Sequence, residues 1–271
     1  HSFPTRRSSD LFKCLYVLVF LILIFILDCM ISVCIATYNG GKFLVEQLQS
    51  ILCQLGKDDE VIISDDGSTD NTYFLVMSMR DNRIKFYQHQ SDSFLLPHEK
   101  ATLNFEHALK YAKGDYIFLS DQDDVWVENK VEIMCKYLRY YSYVVSDCYI
   151  TDSNLNIIAN TRFNKKERIT KNKYLAVVWR TPYQGSCAAF RREVLMKALP
   201  FPPKIQSHDR WIGNVAAFYF SVKLIPEKLI YYRRHESNTS TSSEGKSNIC
   251  IMKRIQYRLC YIKGLLQIIN R

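Results

Sequence analysis

The chain has 271 residues, 48% hydrophobic and 23% charged, with nine Gly and seven Pro and no repeat or low-complexity tract. That excludes a repeat array or a disordered polymer and leaves one sizeable core, or one core with a small accessory region. A formal charge of +9 favours anionic partners such as phosphates, nucleic acid or an anionic membrane face, and the nine cysteines show no CxxC pair and no metal-type spacing, which reads as a reducing compartment without a disulfide framework.

Residues 1–29 stand apart. Leu15 to Leu27, "LYVLVFLILIFIL", is unbroken apolar sequence behind Arg6, Arg7 and Lys13. It falls short of the roughly 20 residues a spanning helix needs, so as a biological segment it is a signal-peptide core or a short anchor. The preferred reading is blander: "HSFPTRRSSDL" resembles read-through of a sequencing adapter, and residues 1–29 are expected to be non-native, with the protein's own text starting at Met30.

From Ile31 onward, short apolar runs alternate with helical patterns. "ISVCIA" (31–36), "EVIIS" (60–64), "IKFYQ" (84–88), "YIFLS" (116–120) and "YVVSD" (143–147) read as strands. Leu44, Leu48, Ile51, Leu52 and Leu55 recur at helical spacing until Gly56. "YFLVMSM" (73–79) follows turn and N-cap chemistry in "DDGSTDNT", a third helix carries Phe105, Ala108, Leu109 and Ala112 and is capped by Gly114, and a fourth spans 127–139. The alternation predicts an α/β fold with a mostly parallel central sheet flanked by helices.

The second half is less regular, with polar clusters at 183–193, 200–211 and 228–240. After these, residues 246–271 hold six Lys or Arg and no acid, and Ile251, Ile255, Leu259, Ile262 and Leu266 form one apolar stripe. The tail 241–271 is therefore a basic amphipathic helix that either lies on a membrane surface or packs its stripe on the domain.

Three polar clusters, "TYNGG" (37–41), "DDGSTD" (65–70) and "SDQDD" (120–124), each follow a strand's C-terminal end, the edge where open α/β sheets bind ligands. Asp121, Asp123 and Asp124 give a partial cage for a hard divalent cation, which is commonly completed by substrate phosphates. A solvated acidic turn is the alternative, with Asp124 the one most suited to capping. Tyr38 can stack on a nucleobase, and Asp66 can accept hydrogen bonds from base or ribose. Trp126 and Trp211 also read as core aromatics, His235 as a surface histidine, and "GSC" at 185–187 as an ordinary turn.

Five motifs in order, "ISVCIATYNGGKFLVEQLQSIL", "VIISDDGSTDNT", "GDYIFLSDQDDVW", "HDRW" and "YRRHESN", resemble glycosyltransferase family 2, inverting enzymes with the GT-A fold. The "SDQDDVW" and "HDRW" forms are most similar to its rhamnosyltransferase-like branch of bacterial polysaccharide synthesis. The resemblance implies a GT-A domain over 30–240, with a nucleotide-sugar half (30–150) and an acceptor half (151–240). It places Ala36 and Tyr38 in the nucleoside pocket, Asp66 on the base, and Asn104 toward nucleotide or sugar. Asp123 matches the metal aspartate of the DxD motif, beside Asp121 on sugar or metal, with Asp124 in support. Asp209 takes the position of the catalytic base. Arg234 and His235 would reach the diphosphate or the metal, with Arg233 a helper, Trp211 nearby, and Gly185 in a loop that approaches the acceptor. One departure stands out: many relatives carry Glu-Asp where this chain has His208-Asp209.

The resemblance further implies Mg²⁺ or Mn²⁺, a nucleotide-diphosphate sugar donor (dTDP-L-rhamnose before a UDP-sugar), and a glycan or lipid-linked acceptor. The expected location is cytoplasmic, peripheral at the inner membrane face, with nucleic acid not among the partners. Competing readings are a sugar nucleotidyltransferase, for which "TYNGGKF" is a poor Gly-rich basic loop, and a non-catalytic protein that binds a nucleotide sugar or an anionic polymer.

Overall fold

A computed structural model describes residues 29–163, 183–236, 238 and 250–269. The apolar run at 15–27 and the first part of the tail, 241–249, lie outside the described residues. The strands are β1 (Ile31–Thr37), β2 (Glu60–Asp65), β3 (Ile84–Gln88), β4 (Tyr116–Ser120), β5 (Val125–Trp126), β6 (Tyr143–Thr151), β7 (Ile157–Ala159), β8 (Ala188–Arg191) and β9 (Val222–Arg233). The helices are α1 (Leu44–Leu52), α2 (Thr72–Ser78), α3 (Pro97–Tyr111), α4 (Lys130–Leu138), α5 (Arg192–Ala198), α6 (His208–Tyr219) and α7 (Ile251–Ile269).

The nine strands form one sheet in the order β3-β2-β1-β4-β8-β6-β9-β5, with β7 on β6. β3, β2, β1 and β4 pair in parallel, and β8 reverses direction between β4 and β6. Two reversals make β6 co-directed with β4, and β9 is parallel to β6. Six of the nine strands therefore point one way, as expected for an α/β fold. β1 and β2 are buried along nearly their whole length because helices cover both faces, which is why they read as unbroken apolar runs. α3 packs on β1 and β2, α4 on β6 and β8, and α6 on α3, α5 and α7.

Four boundaries differ from the sequence pattern. α1 stops at Leu52, and Gly56 lies beyond its end. The helix expected from residue 127 begins at Lys130, because Val125–Trp126 are extended and pair antiparallel with Tyr231 and Ile230 of β9. β6 runs four residues past the expected "YVVSD", held by β9 along its length. Gly114 is not at the end of α3 but at a crossing: a Cβ there would sit 2.5 Å from Ser32 N and 2.7 Å from Met30 O.

The C-terminal helix docks on the domain mainly through another face than the expected stripe, of which Ile262 is half-buried against the core. Among the described side chains, Tyr257, Tyr261, Leu265 and Ile268 are buried. Tyr261 stacks parallel to the fully buried Trp211, its hydroxyl accepts from Ser207 N at 3.2 Å, and Tyr219 donates to the Leu265 carbonyl at 3.2 Å. A Cβ at Gly264 would meet Pro202 at 2.5 Å and Trp211 at 2.9 Å, so the glycine permits the contact. Ile255, Leu259 and Leu266 face outward, at 46%, 59% and 56% exposure.

Candidate active site

Parallel pairing sets the three polar clusters side by side. Thr37 is opposite Asp65, and Ile35 opposite Ser120, so Tyr38, Asp66 and Asp121 leave neighbouring strands at one edge. Gln122, between the motif's aspartates, ties two of them: its Oε1 accepts from Tyr38 N at 2.9 Å and Thr37 Oγ1 at 2.6 Å, and its Nε2 donates to Tyr38 O at 3.2 Å. The ring of Tyr38 stays 56% exposed above this clamp. Ala36 is partly exposed one residue before the C-terminal end of β1. Asp66 Oδ1 accepts from Ser91 N at 2.6 Å and faces His89 Nδ1 at 3.0 Å. Buried Asn104 donates to Thr37 O at 3.1 Å while its Oδ1 has no partner.

The aspartates after β4 diverge. Asp123 Oδ2 meets His235 Nε2 at 2.7 Å and accepts from Asn238 Nδ2 at 3.0 Å, and Asn238 Oδ1 in turn accepts from His235 N at 2.6 Å. Asp124 turns inward, where Oδ1 accepts from Arg233 N at 3.0 Å and the buried Oδ2 has no partner. The Arg233 side chain runs the other way, to Glu46 at 2.5 Å and over the Phe43 ring at 4.3 Å. Arg234 N donates to Thr151 O at 2.9 Å, extending β9 toward the site.

Asp209 arrives from the opposite side, in the first turn of α6. That approach depends on Gly185, in the 3-10 turn 185–187, where a Cβ would lie 2.9 Å from His208 Nε2 and 3.6 Å from Asp209 Cβ. Burial, with Asp123 and Asp209 close by, pushes Asp121 up to about 7. Burial, with Asp123 and Asp121 beside it, raises Asp124 well above the carboxylate range. His208 stacks on Phe105 at 3.8 Å, and burial brings it down to about 4, so it is neutral at pH 7 and its Nε2 has no partner. Trp211 lies in the core under α7, its Nε1 donating to Ala198 O at 2.9 Å.

Several participants were not singled out from the sequence. Gln122 and Asn238 lie inside the motifs, where their residue types alone assign no role. The sequence pattern marks Lys130 only as part of a helix, yet it is fully buried, donating to Ser186 O at 2.7 Å and lying 4.1 Å from the Trp126 ring centroid. Burial lowers it to about 8, against the opposing pull of Cys187, Asp124, Cys148 and Asp121. No helical spacing marks this contact, because Trp126 is extended in β5 and Lys130 opens α4. Arg162, paired with Gln184, also reaches Asp121 electrostatically.

Among the described residues, no three His, Cys, Asp or Glu side chains gather to hold a metal by themselves. The donors present are the Asp123 carboxylate, Asp121 and Asp124, the latter two held above the usual carboxylate range by burial and neighbouring acids, with Asp124 Oδ2 orphaned. This set fits a hard cation that arrives with oxygen ligands of its own, as Mg²⁺ does with a diphosphate.

An α/β sheet of this order, with acidic and aromatic residues along one strand-end edge, defines the GT-A glycosyltransferase class. Solved structures share the fold: S. aureus TarS in complex with UDP superposes with a TM-score of 0.61 at 18% identity, covering 88% of this chain and 65% of that one. A Pyrobaculum calidifontis mannosyltransferase in complex with GDP-Man and Mn²⁺ does so at 0.59 and 18%, covering 89% and 65%. The chain belongs to glycosyl transferase family 2, whose model matches residues 32–199, and it is a glycosyltransferase. An uncharacterized glycosyltransferase of Nostoc sp. is 30% identical over 247 residues, 84% of this chain and 74% of the relative. The E. coli UDP-Glc:alpha-D-GlcNAc-diphosphoundecaprenol beta-1,3-glucosyltransferase WfgD is 30% identical over 151 residues, 55% of this chain and 56% of the relative. With that relative, as with a Campylobacter jejuni glucosyltransferase covered over 62% of its length, the chain spans less than two thirds of the other protein.

Proposed function

We propose that this glycosyltransferase moves a sugar, with inversion, from a nucleotide-diphosphate donor to a hydroxyl of a lipid-linked or growing surface glycan. The observation that carries this reading is the meeting of Tyr38, Asp66 and Asp121–Asp124 at one sheet edge with Asp209 on the facing helix. The family match favours transfer over sugar-nucleotide synthesis or non-catalytic binding.

In this reading the exposed Tyr38 ring stacks on the base, Asp66 accepts hydrogen bonds from it, and the free Asn104 Oδ1 and the backbone at Ala36 complete the nucleoside pocket. Asp123 and His235, with Asp121, would hold Mg²⁺ or Mn²⁺, which when bound neutralises charge on the leaving diphosphate. Arg234 adds positive charge to the same phosphates, and Arg233, tied to Glu46, holds β9 in register with Asp124. Asp209 accepts the proton of the acceptor hydroxyl as its oxygen bonds to the anomeric carbon and the bond to the diphosphate breaks. His208, neutral and stacked on Phe105, adds no second positive charge beside Asp209, whose Oδ1 accepts from the backbone N of Arg210. The acceptor enters past Gly185.

Two donors compete. The motif resemblance favours dTDP-L-rhamnose. A UDP-hexose is favoured by the printed specificity of WfgD and by the UDP bound to TarS. Among the described residues no helix is long and apolar enough to cross a membrane, and peripheral placement at the inner face suits a lipid-linked acceptor. A thermal-shift screen of nucleotide sugars with Mn²⁺ tests the reading: stabilisation by one donor family names it, and no stabilisation by any contradicts a nucleotide-sugar site.

A further inference from the structure

We infer that the outward face of α7, together with the loop before α3, is a docking surface for an anionic lipid bilayer. The idea extends the proposed lipid-linked acceptor, but it rests on its own observations. α7 uses Tyr257, Tyr261, Leu265 and Ile268 to pack on the domain. Leu259 lies two residues from both tyrosines, roughly 200° around the helix from each, and so points directly away from the body. Met252, Ile255, Leu259 and Leu266 share that outer side at 73%, 46%, 59% and 56% exposure. A helix that satisfies its packing with one face and still presents four large apolar side chains on the other has a second partner to meet.

The charge identifies it. Lys253, Arg258 and Lys263 are exposed on the same helix, and residues 250–269 contain no acid. Basic side chains flanking an apolar stripe match an interfacial helix on anionic lipid, with the stripe among the acyl chains and the cations at the headgroups. A second apolar element adjoins it. His98, in the first turn of α3, contacts the Tyr257 hydroxyl at 3.2 Å, which sets the preceding loop beside α7. That loop carries Phe94 at 94% exposure and Leu96 at 40%. The acids there are engaged locally, Asp92 accepting from Phe94 N at 3.1 Å and Glu99 from Leu96 N at 3.0 Å.

Co-sedimentation of the full chain with phosphatidylglycerol-containing vesicles, against phosphatidylcholine vesicles, tests the inference. The expected result is binding to the anionic vesicles that falls about tenfold in Leu259→Ser/Leu266→Ser and more in Lys253→Glu/Arg258→Glu/Lys263→Glu. All these positions are exposed, so the melting temperature and the donor-induced thermal shift stay at wild-type values, which separates a failure here from a failure of the transferase reading. Equal vesicle binding by wild type and both variants overturns the surface. A Leu259→Ser/Leu266→Ser variant that instead turns a dimer into a monomer assigns the face to a second copy of the chain and also overturns it.

Discussion

The two layers of the site are built differently. At the rim, Tyr38, Asp66 and Gln122 sit at strand ends and are held by hydrogen bonds to backbone groups of the adjoining loops. Beneath it, Asp124, Lys130, His208 and Arg233 are buried, and their partners come from far along the chain, Arg233 reaching Glu46 and the Asp124 loop. The rim presents exposed surface, whereas the layer beneath is a charged interior that depends on neutralisation of its carboxylates. Loss of a rim residue therefore costs affinity, and loss of an interior residue costs stability or turnover.

The sharpest way to break this contrast is Asp209→Asn. Transfer falls on the order of a thousandfold while donor binding by calorimetry is retained. Near-native turnover would move the base elsewhere.

Next is Lys130→Met, which keeps the stem but leaves Asp121 and Asp124 without the buried ammonium. Urea unfolding is expected to show a loss of about 3 kcal/mol, and a loss within error would mean those carboxylates are neutralised by other means.

The His208 ring gives a similar effect with a pH signature. Its folded value of about 4 lies below the ordinary 6.5, so the unfolded chain binds more protons between those values. The stability it supports is present above about pH 6.5 and is lost as pH falls toward 4. His208→Gln flattens that part of the stability profile, and an unchanged profile contradicts the buried neutral ring.

The smallest effect is expected on the rim. Tyr38→Ala raises the donor KM about tenfold with little change in kcat, as loss of one base-stacking contact predicts. A kcat defect of the same size would place Tyr38 nearer the chemistry than the nucleoside.

The same difference decides what the amino-acid sequence discloses. β3 and β4 match their apolar runs residue for residue, and the strand-end clusters fall where turn chemistry puts them, because these are local properties. Gln122 could not be ranked between two aspartates, since its function is to reach Tyr38 across the sheet. Lys130 looked like any helix lysine, because its burial arises from the 3-10 turn at 185–187 packing over it. The tail shows the limit most clearly. Its aliphatic stripe was legible, but the domain is gripped by the tyrosine face, where Gly264 lets Trp211 approach. Periodicity shows that a helix has an apolar side and cannot say which of two apolar sides meets the protein.

The most direct test of the acidic edge is a calorimetric titration of the donor found by the screen, with Mn²⁺, into wild type and Asp123→Ala. A loss of donor affinity of tenfold or more, on the order of 1.4 kcal/mol, is the expected result, because Asp123 would join metal and diphosphate to the sheet edge. Equal affinity in the two proteins, with and without Mn²⁺, contradicts a metal-assisted donor site at Asp123.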